Sequence, residues 1–215
     1  MPQPKLQFLV CLLVYTLFVR LLPYVLMNCD IKTDPTVLYY PWNFSPLTAV
    51  CLFGGAFLAD RRMSFLIPLA TLFISDLGIL AITGRMEWAF PTGRWAFTYI
   101  SFSLAAALGL LLRSAKQRGL RIRAVASGIA FEVAFFAASN YLVWVTTKSA
   151  PEPMYANSLA GLYECYLVGL PFFGKSLLGT TAFTLMLFSP LGIRAATESG
   201  DESVTGELAR VRVKQ

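Results

Sequence analysis

Five charged residues stand inside long apolar runs of this sequence: Arg20, Asp76, Glu132, Glu164 and Lys175. On insertion scales a charge at the centre of a membrane helix costs about 2.5–3.5 kcal/mol. Residues carrying that cost normally face a bundle interior, pair with one another, or line a site. Two bases and three acids permit internal pairing, for example Arg20 with Asp76. For Asp76, ion pairing and ligand binding both remain open. Glu132 lies nearer the inner end of its run and reads as structural. Arg20 and Lys175 are long enough to snorkel to an interface.

There is no histidine in the chain. A His general base, a His-liganded metal and a Ser-His-Asp triad are therefore excluded. The four cysteines, Cys11, Cys29, Cys51 and Cys165, show no CxxC spacing, and so form no metal or redox motif. Walker A, GxGxxG and GxSxG patterns are also missing. The expectation is a binding protein and not an enzyme, with no metal and no cofactor. Asp76, Glu132 and Glu164 are left as the carriers of any proton-coupled step.

The residue types suited to hold a small molecule fall into two clusters. The first is Tyr39-Tyr40-Pro41-Trp42-Asn43-Phe44-Ser45-Pro46, where two prolines restrict the backbone and Asn43 and Ser45 offer polar contacts. Either of those two also suits a helix cap. The second runs from Tyr155 to Tyr166 and adds Asn157, Tyr163 and Glu164; Asn140 and Tyr141 precede it. All four tryptophans (Trp42, Trp88, Trp95 and Trp144) fall on the side predicted to be outer. Aromatic belts occupy both interfaces of a membrane. A one-sided excess therefore sets an aromatic-lined outer pocket against a plain belt. The candidate ligand-binding set is Trp42, Asn43, Asp76, Asn140, Tyr155, Asn157, Tyr163 and Glu164, with apolar walls and a few placed polar groups.

The elements that must position these groups are apolar helices. The chain has 215 residues, 56% hydrophobic and only 14% charged, with mean hydropathy +0.61. That balance rules out a disordered chain and argues against an ordinary soluble enzyme. A crossing helix needs about 20 apolar residues. Six runs fit or approach that length: 6–27, 45–58 (short), 65–82, 95–112, 124–145 and 177–193. A seventh stretch, 159–173, contains Glu164 and Pro171 and reads as a re-entrant or partly embedded helix, a seventh span being the alternative. The expected class is an all-α integral membrane protein with one transmembrane domain at 1–194 and a polar, disordered cytoplasmic tail at 195–215.

Charge orients this arrangement. With six spans and both termini inside, the inner segments hold twelve of the eighteen Lys and Arg residues and the outer segments four. The first run is longer than a signal-peptide core, carries Arg20 and precedes no small-x-small cleavage site, so it reads as a retained helix. Five basic residues between Arg113 and Arg123 suit the anionic inner leaflet better than nucleic acid. Small residues recur at helix-packing intervals: Ala126, Ala130, Ala134 and Ala138; Ala105 and Gly109; Gly54, Gly55 and Ala56. Internal packing is their expected use, and docking of another membrane protein the alternative.

Several strings also resemble a known group. Pro41-Trp42-Asn43-Phe44-Ser45-Pro46, Leu52-Phe53-Gly54-Gly55-Ala56, Ser75-Asp76, Leu159-Ala160-Gly161-Leu162, Leu170-Pro171-Phe172-Phe173 and Leu177-Leu178-Gly179 resemble uncharacterised bacterial membrane proteins described as putative transport proteins. That group is in turn similar to the S components, the substrate-capture subunits, of energy-coupling factor vitamin transporters. The resemblance implies a six-helix bundle in the bacterial inner membrane that takes a vitamin or similar solute from the outer face. It also implies partners: an energy-coupling transmembrane subunit and ATPases, unless the protein acts alone. S components often dock through Ala-x-x-x-Ala in the first helix, but residues 6–27 contain no alanine. Cobalamin-specific relatives use a cysteine thiolate on cobalt; Cys51 is the counterpart, though a plain packing residue fits it better. The competing expectation is an assembly protein that binds another membrane protein through small-residue helix faces.

Overall fold

The structure is a computed structural model, and it describes residues 6–29, 31, 44–91, 94–114, 117–147 and 153–197. Among them the regular structure is helical throughout. The helices are α1 (Leu6–Asn28), α2 (Leu47–Phe57), α3 (Arg61–Thr83), α4 (Met86–Ala89), α5 (Trp95–Leu111), α6 (Gln117–Thr147), α7 (Leu159–Leu187) and α8 (Pro190–Thr197). Five of these, α1, α3, α5, α6 and α7, contain segments long and apolar enough to cross a membrane. The predicted tail beyond 197, Trp42 and Asn43 lie outside the described residues.

Local chemistry sets the helix ends. The Asp60 carboxylate accepts the Arg62 N–H at 2.8 Å and starts α3, as an N-cap aspartate does. Gly84 closes that helix in the left-handed region at φ 66°, and its N–H reaches the Leu80 carbonyl. A side chain there would strain the backbone. Ser158 caps α7 by accepting the Gly161 N–H at 3.2 Å.

From that cap α7 runs unbroken for 29 residues and carries Pro171 inside it. The expected break between an embedded helix at 159–173 and a span at 177–193 does not occur. A proline removes one backbone donor, but within apolar helices neighbouring groups take up the loss. The last apolar run ends instead at Leu187, and Pro190 opens the separate α8.

An apolar cluster that includes Leu12, Phe57, Leu112, Leu120, Leu187 and Phe188 joins the first turns of α1 and α6 to the last turns of α2, α5 and α7. These termini share one end of the bundle, and Arg61, Arg62, Arg113, Arg121, Arg123 and Arg194 belong to the same set of termini. At the opposite, aromatic end, Tyr24 packs against Trp88 with ring centroids 6.2 Å apart.

α2 is the unusual element. Its 11 residues are all buried, and at about 1.5 Å each they reach only about half of a bilayer core. Its first turn lies deep in the bundle. Thr48 reaches Glu132, the middle residue of α6. A Cβ on Gly179 of α7 would lie 3.2 Å from the Cα of Phe44, so residues 44–46 pass directly over that helix. The last turn of α2 lies at the arginine-rich end, where Ser64 donates to the Gly54 carbonyl at 3.0 Å.

Arg113 fixes that last turn. Its Nε donates to the Gly55 carbonyl at 2.7 Å, and its Nη2 donates to the Leu58 carbonyl. Expected among the leaflet-facing cations, Arg113 instead satisfies carbonyls that a helix C-terminus leaves open. Hydrogen bonds to a charged group are worth about 1.5–3 kcal/mol. Arg113→Ala should therefore lower stability by about 2 kcal/mol, read as a shifted melting curve in detergent. Arg113→Lys should recover less than half of that, because an ammonium cannot reproduce the two-pronged contact.

The small-residue motifs divide. Gly55 and Gly109 meet where α2 crosses α5, and Ala105 and Ala106 are fully buried beside them. This is internal packing, as expected. The alanine stripe of α6 is not: Ala126, Ala130, Ala134 and Ala138 lie away from the buried positions of that helix, which include Ala124, Gly128, Phe131 and Glu132. Cys51 sits at 0% exposure among Ala105, Ala106 and Phe131.

Candidate functional site: a polar cavity inside the bundle

Two polar clusters interrupt the apolar interior. The first joins α1, α3 and α5. Arg20 Nη2 donates to Asp76 Oδ1 at 2.8 Å, and Arg20 Nε donates to Ser75 Oγ at 2.7 Å. The Tyr99 hydroxyl donates to Asp76 Oδ2 at 2.8 Å. Ser75 donates its own hydroxyl proton to the Leu72 carbonyl. Both carboxylate oxygens of Asp76 are thus engaged, and the charge of Arg20 is balanced in place. Arg20 is paired with Asp76, the other use expected for this side chain. Lys175 is buried at 7% exposure.

The second cluster joins α2, α6 and α7 around Glu132, which is 3% exposed. Thr48 Oγ1 and Thr180 Oγ1 donate to Glu132 Oε1 at 2.8 and 2.6 Å. Ser176 Oγ donates to Oε2 at 2.6 Å. Ser176 and Thr180 are one helical turn apart, so α7 presents both hydroxyls on the face that packs against α6.

A cavity of about 340 Å³ lies between the clusters, lined by Arg20, Asp76, Thr48, Glu132 and Ser176. Its apolar walls include Tyr24, Trp88, Trp95, Phe102 and Phe135. A second cavity of about 350 Å³ shares Tyr24, Trp88, Pro91 and Thr98 with the first. Glu87 and Arg94 line it further out. The Arg85 guanidinium lies 4.6 Å from the Trp88 ring centroid, which helps hold that indole at the boundary of the two spaces. Volume, aromatic walls and a few converging polar groups are the attributes of a small-molecule site.

The residues singled out from sequence meet this geometry unevenly. Asp76 lines the cavity. Asn140 does not: its Nδ2 donates to the Phe136 carbonyl at 2.9 Å, and its side chain lies against Gly169 where α6 meets α7. Tyr155 is half-buried near the start of α7, while Asn157, Tyr163 and Glu164 are exposed. None of these five lines either cavity. Their expected convergence with the first loop concerns residues 32–43, which lie outside the described residues. The unbroken course of α7 accounts for their place beside the two cavities and not in them. Gly161 and Cys165 take its buried face, and Tyr163 is then turned about 200° from Gly161. Trp144 points its Nε1 to the Ala156 carbonyl at 3.0 Å, away from the cavity wall that Trp88 and Trp95 supply.

Thr48, Ser176 and Thr180 are polar site residues that the sequence did not point to. A faint signal is present on α7, where Ser176, Thr180 and Thr184 recur every fourth residue in an apolar helix. Hydroxyls are common in membrane helices as donors to their own backbone, so the spacing alone does not lead to Glu132.

Fold and cavity together define the class: an all-helical, membrane-embedded protein with a polar, aromatic-walled chamber inside the bundle. The chain belongs to a family of unknown function (DUF6580), the match covering residues 2–198. No curated protein and no solved structure matches it.

Proposed function

We propose that this protein captures a small solute, such as a vitamin, and serves transport in the manner of an S component. In this reading the aromatic end faces outward and both termini lie on the cytoplasmic side of a bacterial inner membrane. The chain then passes six times, with α2 and the segment leading into it making one incomplete crossing. An energy-coupling transmembrane subunit and ATPases would supply the driving force. No catalytic step is assigned.

The observation that carries the reading is the cavity beside the first turn of α2. Interrupted helices that start near mid-bundle, next to a chamber, are how many membrane transporters build solute sites. Purified protein should gain about 5 °C or more in melting temperature with its solute at a hundredfold excess over Kd. A panel of water-soluble vitamins and related small molecules is the test. No shift with any member, together with unchanged melting of Trp88→Ala across the panel, would remove the reading.

A second reading has one observation in its favour. The alanines of α6 form a smooth strip on the side away from its buried residues, suited to close approach by another membrane helix. Under an assembly role, Ala130→Leu abolishes co-purification of a membrane partner while solute binding is absent throughout.

A further inference from the structure

Among the described residues, the charged groups lining the central cavity are Arg20, Asp76 and Glu132. The first two neutralise each other at 2.8 Å. Among the described lining residues this leaves the charge of Glu132. Its hydrogen-bond donors are three hydroxyls, which solvate a carboxylate without cancelling its charge. An ionised carboxylate offers about four acceptor positions. Thr48 and Thr180 fill two on Oε1, and Ser176 fills one on Oε2. A further position is on Oε2, the oxygen shared with Ser176, and both Ser176 and Glu132 line the cavity. A buried carboxylate in an apolar surround calls for a positively charged donor. Electron-rich ring faces around it favour the same sign.

We infer that the cavity selects organic cations: solutes that carry a protonated amine on an apolar or aromatic body. The ammonium donates to Glu132 Oε2, and the body lies against Trp88, Trp95, Phe102 and Phe135. Arg20 and Asp76 hold the opposite wall without adding net charge. This assignment rests on the solute-binding reading above and narrows it to a chemical class. The hydroxyls of Thr48, Ser176 and Thr180 are positioning residues, since they hold the carboxylate in one orientation.

Matched probes of one shape and three charges test it on the full-length protein in detergent. Tryptamine, tryptophol and indole-3-acetate form one triplet; 2-phenylethylamine, 2-phenylethanol and phenylacetate form another. The amine of each triplet is expected to bind at least tenfold more tightly than its alcohol, and the acid not at all. Glu132→Gln should erase the amine preference, lowering the amine's affinity at least tenfold, to about that of its alcohol. The wild-type comparison stands even if that variant folds poorly. An alcohol or acid that binds as well as its amine overturns the cation assignment and leaves solute binding intact. Failure of every probe, combined with failure of the vitamin panel, removes both.

Discussion

Gly55→Ala should destabilise the protein by about 3 kcal/mol, and Gly55→Val should prevent the native bundle from forming. A Cβ on Gly55 would lie 2.5 Å from the Ala106 carbonyl oxygen and 2.6 Å from the Gly109 Cα. Both obstacles are backbone, so no side chain can rotate away. Overpacking of a tight core costs typically about 1–3 kcal/mol, and a fixed backbone places this site at the upper end. Gly109→Ala should behave alike, its Cβ meeting the Leu52 carbonyl oxygen at 2.5 Å. Gly174 supplies the contrast. A Cβ added there would meet no atom within 4 Å, so Gly174→Ala should be neutral, or stabilising by up to about 1 kcal/mol through helix propensity. Melting curves in detergent, with protease sensitivity of the α2–α3 connection as a second readout, distinguish the cases. Equal melting of Gly55→Ala and Gly174→Ala would refute the close crossing.

The second large effect concerns the ion pair. Asp76→Ala should cost about 3 kcal/mol, and Arg20→Ala a similar amount. Breaking a buried pair leaves one charge uncompensated, typically at about 3–5 kcal/mol. Arg20 retains 25% side-chain exposure and Asp76 9%, which places this pair at the lower end. The double change Arg20→Met with Asp76→Leu should cost clearly less than the two singles combined, because neither charge then remains. Additive losses would mean that the pair is uncoupled. Tyr99→Phe, which removes only the donor to Asp76 Oδ2, should cost about 1 kcal/mol.

The positions of the long helices were legible from their apolar runs, because hydropathy and length are local properties. The pairing of Asp76 was legible for a related reason: a carboxylate in an apolar run needs a partner, and Arg20 supplies it. The course of α7 was not legible. Pro171 and Glu164 argued locally for a break, and the bundle overrode them. Nor was the direction of the α6 alanines, since four-residue spacing fixes that they share a face but not which way it points. Glu132 shows the limit most clearly. Its cage draws Thr48 from 84 positions away and Thr180 from 48, and only tertiary contact reveals it. Trp42 and Asn43, drawn from the most specific string in the sequence, lie outside the described residues.

The burial of α2 bears on how the protein is made. A nascent chain delivers this helix to the bilayer before α5, α6 and α7 exist. Yet Gly55 is shaped for α5, Thr48 for α6, and the segment at Phe44 for α7. Until α7 emerges, a helix too short to cross has only its earlier neighbours to shelter it. Assembly therefore cannot finish in the order of synthesis: the second helix completes its contacts only once α7 is in place. Chains truncated before residue 159 should accordingly be recognised as incomplete and degraded, even though four of their helices already satisfy the bilayer.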